Sequence, residues 1–319
     1  MFRSCLTKFT LLSVGTSRRP IYLRNRPGPW STRLMENGEK ILDSVSVLYR
    51  SENYLVVDKH YDVLINSNDP EQLLTVENQL RKSYPELVDN SVKHGFRFQH
   101  RLDLATSGVL CLSLNKPASA KFFKLLQKRQ MTKHYLALVR GHVPADQASG
   151  IQHIETPIGR DNSITDFCKM CTTSNPNCDK PLPAHTGLVL LQHGTYDNLP
   201  VSKVLLIPYT GRTHQLRVHC QSHGHLIVGD YTYSDRADTK PYRMMLHAYH
   251  LIAPIPGEQL DVIAPDPLVD SVDKLWKPER TFVTYDEFVR SNQEGVKLAA
   301  TERQSSSLID DINTETKSS

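Results

Sequence analysis

The spacing of its β-rich runs constrains this chain most. Tyr54 to Val57, Val109 to Leu114, His134 to Val139, Lys203 to Ile207 and Met244 to Ile252 are dense in branched and aromatic residues, while helical periodicity appears in only a few of the intervals between them. A doubly wound parallel sheet needs a helix after nearly every strand, so the pattern predicts an α+β domain on one substantial sheet instead. One helix is marked by Ala118, Phe122, Leu125 and Leu126, which repeat at i, i+4, i+7 and i+8 behind Pro117 at a first-turn position. Its other face carries Lys121, Lys124 and Lys128. A second helix is expected from Thr213, a plausible N-cap, to the Gly224 stop, and a third from Thr75 to Ser83 ahead of Pro85.

Charge is distributed unevenly. Residues 1–34 hold seven cations (Arg3, Lys8, Arg18, Arg19, Arg24, Arg26, Arg33) and no acid, leaving 31 cations against 34 anions in the other 285 residues. An acid-free, Arg-rich and hydroxyl-rich leader has the composition of a mitochondrial transit peptide. A disordered basic arm is the alternative, and Met35 offers an internal start that would give a cytoplasmic or nuclear form. Residues 81–142 contain twelve Lys or Arg and only Glu86, Asp89 and Asp103 as acids, the segregation a polyanion-binding face requires. Residues 291–319 are polar, lack aromatics and are expected to be disordered. No stretch approaches the roughly 18 to 20 apolar residues of a membrane-spanning helix. The six cysteines (5, 111, 168, 171, 178, 220) are too sparse for a disulfide scaffold, which favours a reducing compartment.

The most informative segment is Gly95-Phe-Arg-Phe-Gln-His-Arg-Leu-Asp-Leu-Ala-Thr-Ser-Gly108, leading directly into the strand Val109 to Leu114. Asp103, flanked by His100 and Arg101 and followed by a tight turn, is either an ion-paired structural acid or a nucleophile held ionised. Spacing alone leaves both open.

His-Arg-Leu-Asp followed by Thr-Ser-Gly resembles the signature of the RluA-type pseudouridine synthases. Three further segments are similar to that family, in the same order: Ser46 to Lys59; Thr132 to Gly141; and Pro208 to His219 with Gly229-Asp230 and Met245 to Ala248 beyond it. The first departs from the usual Lys-Pro-Ala-Gly continuation, reading Lys59-His60-Tyr61-Asp62. The resemblance spans residues 44–290. It implies the pseudouridine synthase fold, a large mixed, mainly antiparallel sheet flanked by helices around a central active-site cleft.

It also implies the chemistry. Uridine is isomerised to pseudouridine by breaking the N1–C1′ bond, turning the bound base and joining C5 to C1′, with neither cofactor nor metal. Asp103 matches the family's aspartate, Arg217 the arginine that pairs with it, and Tyr135 the tyrosine that contacts the base. Arg101 matches the residue that fills the place of the extruded nucleotide, and Leu246 the apolar floor of the uracil pocket. His100 is expected beside substrate and Arg212 on phosphate, and Lys121, Lys124 and Lys128 are candidates for the RNA-binding face. RNA is the implied partner, with no obligatory protein partner or membrane.

Two other readings compete. His214, His219, Cys220, His223 and His225 lie close together, and Cys168, Cys171 and Cys178 form part of a zinc pattern, but neither group has the full spacing of a metal site. A non-catalytic RNA-binding protein retaining the fold is the alternative function.

Overall fold

The computed structural model describes residues 44–145, 150–164 and 169–292. The leader with Met35, the tail beyond residue 292, and Cys168 lie outside the described residues. Strands β1 (Ser46–Arg50), β2 (Tyr54–Lys59), β3 (Arg97–Phe98), β4 (Ser107–Ser113), β5 (Thr132–Arg140) and β6 (Gln152–Ile154) are followed by β7 (Ile158–Asp161), β8 (Met170–Thr172) and β9 (Cys178–Leu182). Then come β10 (Thr186–Tyr196), β11 (Leu199–Pro208), β12 (Leu246–Ile255), β13 (Glu258–Ile263) and β14 (Trp276–Thr281). The helices are α1 (Val76–Ser83), α2 (Lys116–Gln127) and α3 (Gln215–Ser222), with a C-terminal helix at residues 285–292.

One eleven-stranded sheet runs β1-β2-β4-β12-β5-β11-β10-β14, with β3, β6 and β13 as side branches. Among the described strands its ladders are antiparallel except for β12 on β4, which confirms the mixed, mainly antiparallel α+β fold. A smaller sheet, β8-β7-β9, inserts between β6 and β10. Each expected β-rich run lies within or largely overlaps a strand.

Helix ends follow local chemistry. Thr75 caps α1, its hydroxyl accepting from the Asn78 amide at 3.0 Å, and Asn115 caps α2 through the Ala118 amide at 2.9 Å. The third helix departs from expectation: its N-cap is His214, not Thr213, and His214 has φ +54°. No side chain of His214 caps this end; Gln215 folds back instead, its Oε1 accepting from the Arg212 amide at 3.0 Å and the Thr210 hydroxyl at 2.7 Å.

The sheet separates two cores. Alternation along β4 sends Val109 and Cys111 to the side that receives Phe122 and Leu125 of α2, and Leu110 and Leu112 to the side that receives Val76 and Leu80 of α1. The α2 side continues into a core with Trp276 and Phe288 of the C-terminal helix. The α1 side continues into one with Leu216 and Cys220 of α3. The C-terminal helix joins the packed domain by burying Phe288.

Candidate active site

Asp103 sits in the loop from β3 to β4, held by a backbone turn and by a buried ammonium. The Thr106 amide donates to the Asp103 carbonyl at 3.1 Å. The buried Lys59 ammonium donates to the carbonyls of Leu104 (3.0 Å), His60 (2.9 Å) and Val63 (2.7 Å). Burial draws the Lys59 pKa down to about 7, yet three carbonyl acceptors match the three protons of an ammonium, and we take it as charged. Gly108 has φ +109°, and a Cβ there would lie 2.1 Å from the Ala248 carbonyl, so only glycine lets β4 run this close to β12. The turn that lacks the usual proline closes by another route, with Asp62 at φ +57° and Tyr61 beneath the Arg243 guanidinium at 4.5 Å.

Arg217 presents the first turn of α3 to this loop. Its Nε and Nη2 each donate at 2.7 Å to Asp230, a bidentate pair in which Asp230 is fully buried. Only Nη1 turns to Asp103, at 3.4 Å. The contact between Arg217 and Asp103 expected from sequence is thus present, but the closer partner of Arg217 is Asp230. Asp230 is satisfied on its other side by the amides of Thr232 and Tyr233, both at 3.1 Å. Asp103 keeps 21% of its side chain exposed against 0% for Asp230, so of the two carboxylates on this arginine it is the one a substrate can reach.

His214, expected only as part of a structural helix, belongs to the site. The Tyr233 hydroxyl accepts from the Met170 amide at 3.1 Å and lies 3.0 Å from His214 Nδ1. With its own proton then given to Nδ1, the network assigns the imidazole proton to Nε2, which lies 3.8 Å from Asp103 Oδ2. Burial and the Arg217 charge lower the His214 pKa to about 4, so the ring is neutral near neutral pH. Burial works to raise the Asp103 pKa, but His214, Arg217 and Arg101 outweigh it and hold the carboxyl below its ordinary value. Near neutral pH, where His214 is uncharged, Arg217 and Arg101 are the cations that face this carboxylate.

Tyr135 lies on β5 where the α1-side and α3-side cores meet, packed against both. Burial, then the Asp103 charge, push its hydroxyl pKa up, which keeps it a neutral phenol beside an anion. Leu246 is 3% exposed in the same core as Ala137 and Leu216, with Ala105 and Tyr135 against it. Arg243 links the parts: its Nη2 donates to Ser107 Oγ at 2.5 Å and to the Leu246 carbonyl at 3.1 Å. Arg101 is exposed at the rim. Arg212 stands at the rim too, its Nε donating to the Pro183 carbonyl at 2.9 Å.

Other expected residues are placed elsewhere. His100 faces α2, its ring parallel to Phe122 at 6.4 Å, and its Nε2 accepts from the Cys111 amide at 3.0 Å. Burial lowers its pKa to about 3; it is a structural acceptor for β4, away from the Asp103 cluster. Lys121, Lys124 and Lys128 are exposed on α2, on the sheet face opposite Tyr135. The histidine cluster disperses: His219 bonds Thr186 Oγ1 and the Thr156 carbonyl, both at 2.9 Å, and His225 the Arg140 carbonyl at 3.1 Å. Among the described residues no three His, Cys, Asp or Glu converge as metal ligands.

Sequence reasoning assigned no role to Lys59, Asp230, Tyr233 or Arg243. A signal existed for one of them: a buried arginine requires a buried acid, and Gly229-Asp230 follows closely on Arg217.

Comparison with known proteins agrees with this geometry. The sequence model of the family described as RNA pseudouridylate synthase matches residues 53–222, a span that includes Asp103, Tyr135 and Arg217. RNA pseudouridylate synthase domain-containing protein 1 of Danio rerio is 49% identical over 239 residues, 75% of this chain and 80% of its own. The dual-specificity RNA pseudouridine synthase RluA of Vibrio vulnificus (strain CMCP6) is 33% identical over 208 residues, 64% of this chain and 76% of its own. The solved structure of human RNA pseudouridylate synthase domain containing 1 aligns with TM-score 0.69 at 42% identity, covering 78% of this chain and 95% of that one. A large mixed sheet that brings these motifs to one cleft, matched along most of its length by these relatives, places the chain in the RNA pseudouridylate synthase family of isomerases that act on RNA.

Proposed function

We propose that the protein converts uridine to pseudouridine in RNA through Asp103. The observation that carries this reading is an ionised, solvent-reachable carboxylate set against the buried Arg217–Asp230 pair and beside Tyr135. Asp103 acts on the ribose, by attack at C1′ or by removal of a ribose proton, so that the N1–C1′ bond breaks. The freed base turns within the pocket between Tyr135 and Leu246, and C5 joins C1′. The C5 proton departs and N1 gains one, so the isomerisation consumes nothing.

The target nucleotide must leave its stack to reach Asp103, and Arg101 at the rim is the side chain we assign to the vacated space. Support for a catalytic rather than a binding-only role comes from the completeness of the cluster, in which Asp103, Tyr135 and Arg217 stand together. We place the protein in mitochondria on the composition of residues 1–34; a fluorescent fusion to those residues that stays cytosolic would remove that placement.

The test uses RNA transcribed with 5-tritiated uridine. The intact protein should release tritium, while Asp103→Ala should release none and still bind the RNA with near-normal affinity. Tritium release by Asp103→Ala would refute the assignment, and no release by the intact protein from any cellular RNA would favour the binding-only alternative.

A further inference from the structure

Beside the site, the loop after β11 carries an aromatic cluster that the isomerase chemistry does not use. Tyr209 is 38% exposed and belongs to no hydrophobic core cluster. Its ring lies 4.3 Å from the His185 ring at 32° and 6.0 Å from that of His153. The two imidazoles hydrogen-bond each other, His153 Nδ1 to His185 Nε2 at 2.8 Å, and neither is buried. Glu155 Oε1 lies 3.7 Å from the same His185 nitrogen and is 71% exposed.

Gln215 ties this cluster to the catalytic machinery. Its Nε2 donates to the His185 carbonyl at 2.9 Å, while its Oε1 fastens Thr210 and Arg212 on the loop that ends at His214 against Asp103. His214 lies five positions after Tyr209, a reach of at most about 18 Å. Nucleotides next to a uridine held at Asp103 are therefore within reach of this rim. Exposed aromatic rings on a loop that also carries Arg212 match what unpaired nucleotides need, a π-face for the base and a cation for the phosphate.

We propose that Tyr209, backed by His185 and His153 and flanked by Arg212, is a stacking platform for an unpaired nucleotide adjacent to the target uridine. The proposal rests on the RNA-directed reading of the site given above. It predicts a sequence-tolerant contact, because every base offers a face to stack.

The experiment measures binding of fluorescent oligouridylate by anisotropy, and photocrosslinking of 5-iodouridine-substituted oligouridylate, with the full-length protein. Tyr209→Ala should weaken binding roughly tenfold, the order of one stacked base, and abolish the crosslink to the peptide containing residue 209. Tyr209→Phe should keep both, and the thermal midpoints of both variants should match the parent. Unchanged affinity in Tyr209→Ala, crosslinks confined to other peptides, or no binding of oligouridylate by the intact protein would overturn the proposal. Both readouts score bound RNA without turnover and are repeated on Asp103→Ala. Failure of the platform thus leaves the isomerase assignment standing, and an inactive protein with Tyr209-dependent binding leaves the platform standing.

Discussion

At Arg217 one guanidinium serves a fully buried carboxylate and a partly buried one, and the fully buried partner fixes the geometry. Breaking a buried ion pair from one side costs about 3–5 kcal/mol because the other charge is left uncompensated. Asp230→Asn should therefore lower unfolding free energy by roughly that amount and reduce activity with it; a denaturation midpoint equal to the parent's would contradict the pairing. Arg217→Lys should fail in the same direction, since an ammonium cannot reproduce the fork. Because His214 is neutral above about pH 4 and Asp103 ionises below its ordinary value, kcat/KM should be flat across about pH 6 to 8. A limb near the ordinary histidine value of about 6.5 would contradict the assignment of His214. Asp103, Tyr135 and Arg217 were legible because each sits in a motif with its own local pattern. Lys59 and His214 were not, because their roles arise where separate loops meet: Lys59 reaches carbonyls across a turn and from another strand's loop, and His214 takes its tautomer from a tyrosine 19 residues on.

The elements follow the sequence where burial periodicity is simple. Helix α2 matches its expected stripe, and Phe122→Ala should cost about 3–5 kcal/mol, read by chemical denaturation. What periodicity cannot say is which face of the sheet a helix covers. Its lysines lie opposite the site, so replacing Lys121, Lys124 and Lys128 together by Ser should leave the salt dependence of RNA binding nearly unchanged; a slope reduced by about two or more (some 0.7 per lost single-strand contact) would show that RNA wraps to that face. The long strand β10 escaped the sequence reading because its apolar run is only Leu188 to Leu191, with Gly187 before it and Gln192, His193 and Gly194 after it. Gly194 is there for β14: a Cβ would sit 2.2 Å from the Lys277 carbonyl. Between β4 and β12, Gly108→Ala should be among the most destabilising single changes, by at least about 3 kcal/mol, since its steric partner is backbone and cannot move aside.

Over the whole molecule, burial of neutral histidines sets the response to acid. His100, His134, His214 and His247 all have pKa values lowered to about 3 or 4, burial being the largest cause in each. The unfolded chain binds more protons than the folded one between those values and about 6.5, so stability should be full above about pH 6.5 and fall as pH drops toward 4. Urea midpoints should shift steeply over that interval, and a flat profile would contradict the neutral buried histidines. At this scale the α+β class, the single large sheet and the motif order were all readable, whereas the small β8-β7-β9 sheet was not. Its short strands carry few apolar residues, and it meets the site through the Met170 amide on the Tyr233 hydroxyl and through Ile158 packed with Val218 and Tyr233. The most direct test of the central claim is site-resolved mapping of pseudouridine by carbodiimide-dependent reverse-transcription stops, on total and mitochondrial RNA from cells lacking the gene and rescued with wild-type or Asp103→Ala protein. The account predicts sites that vanish without the gene and return only with the wild type; restoration of those sites by Asp103→Ala, or no lost site in either fraction, would contradict it.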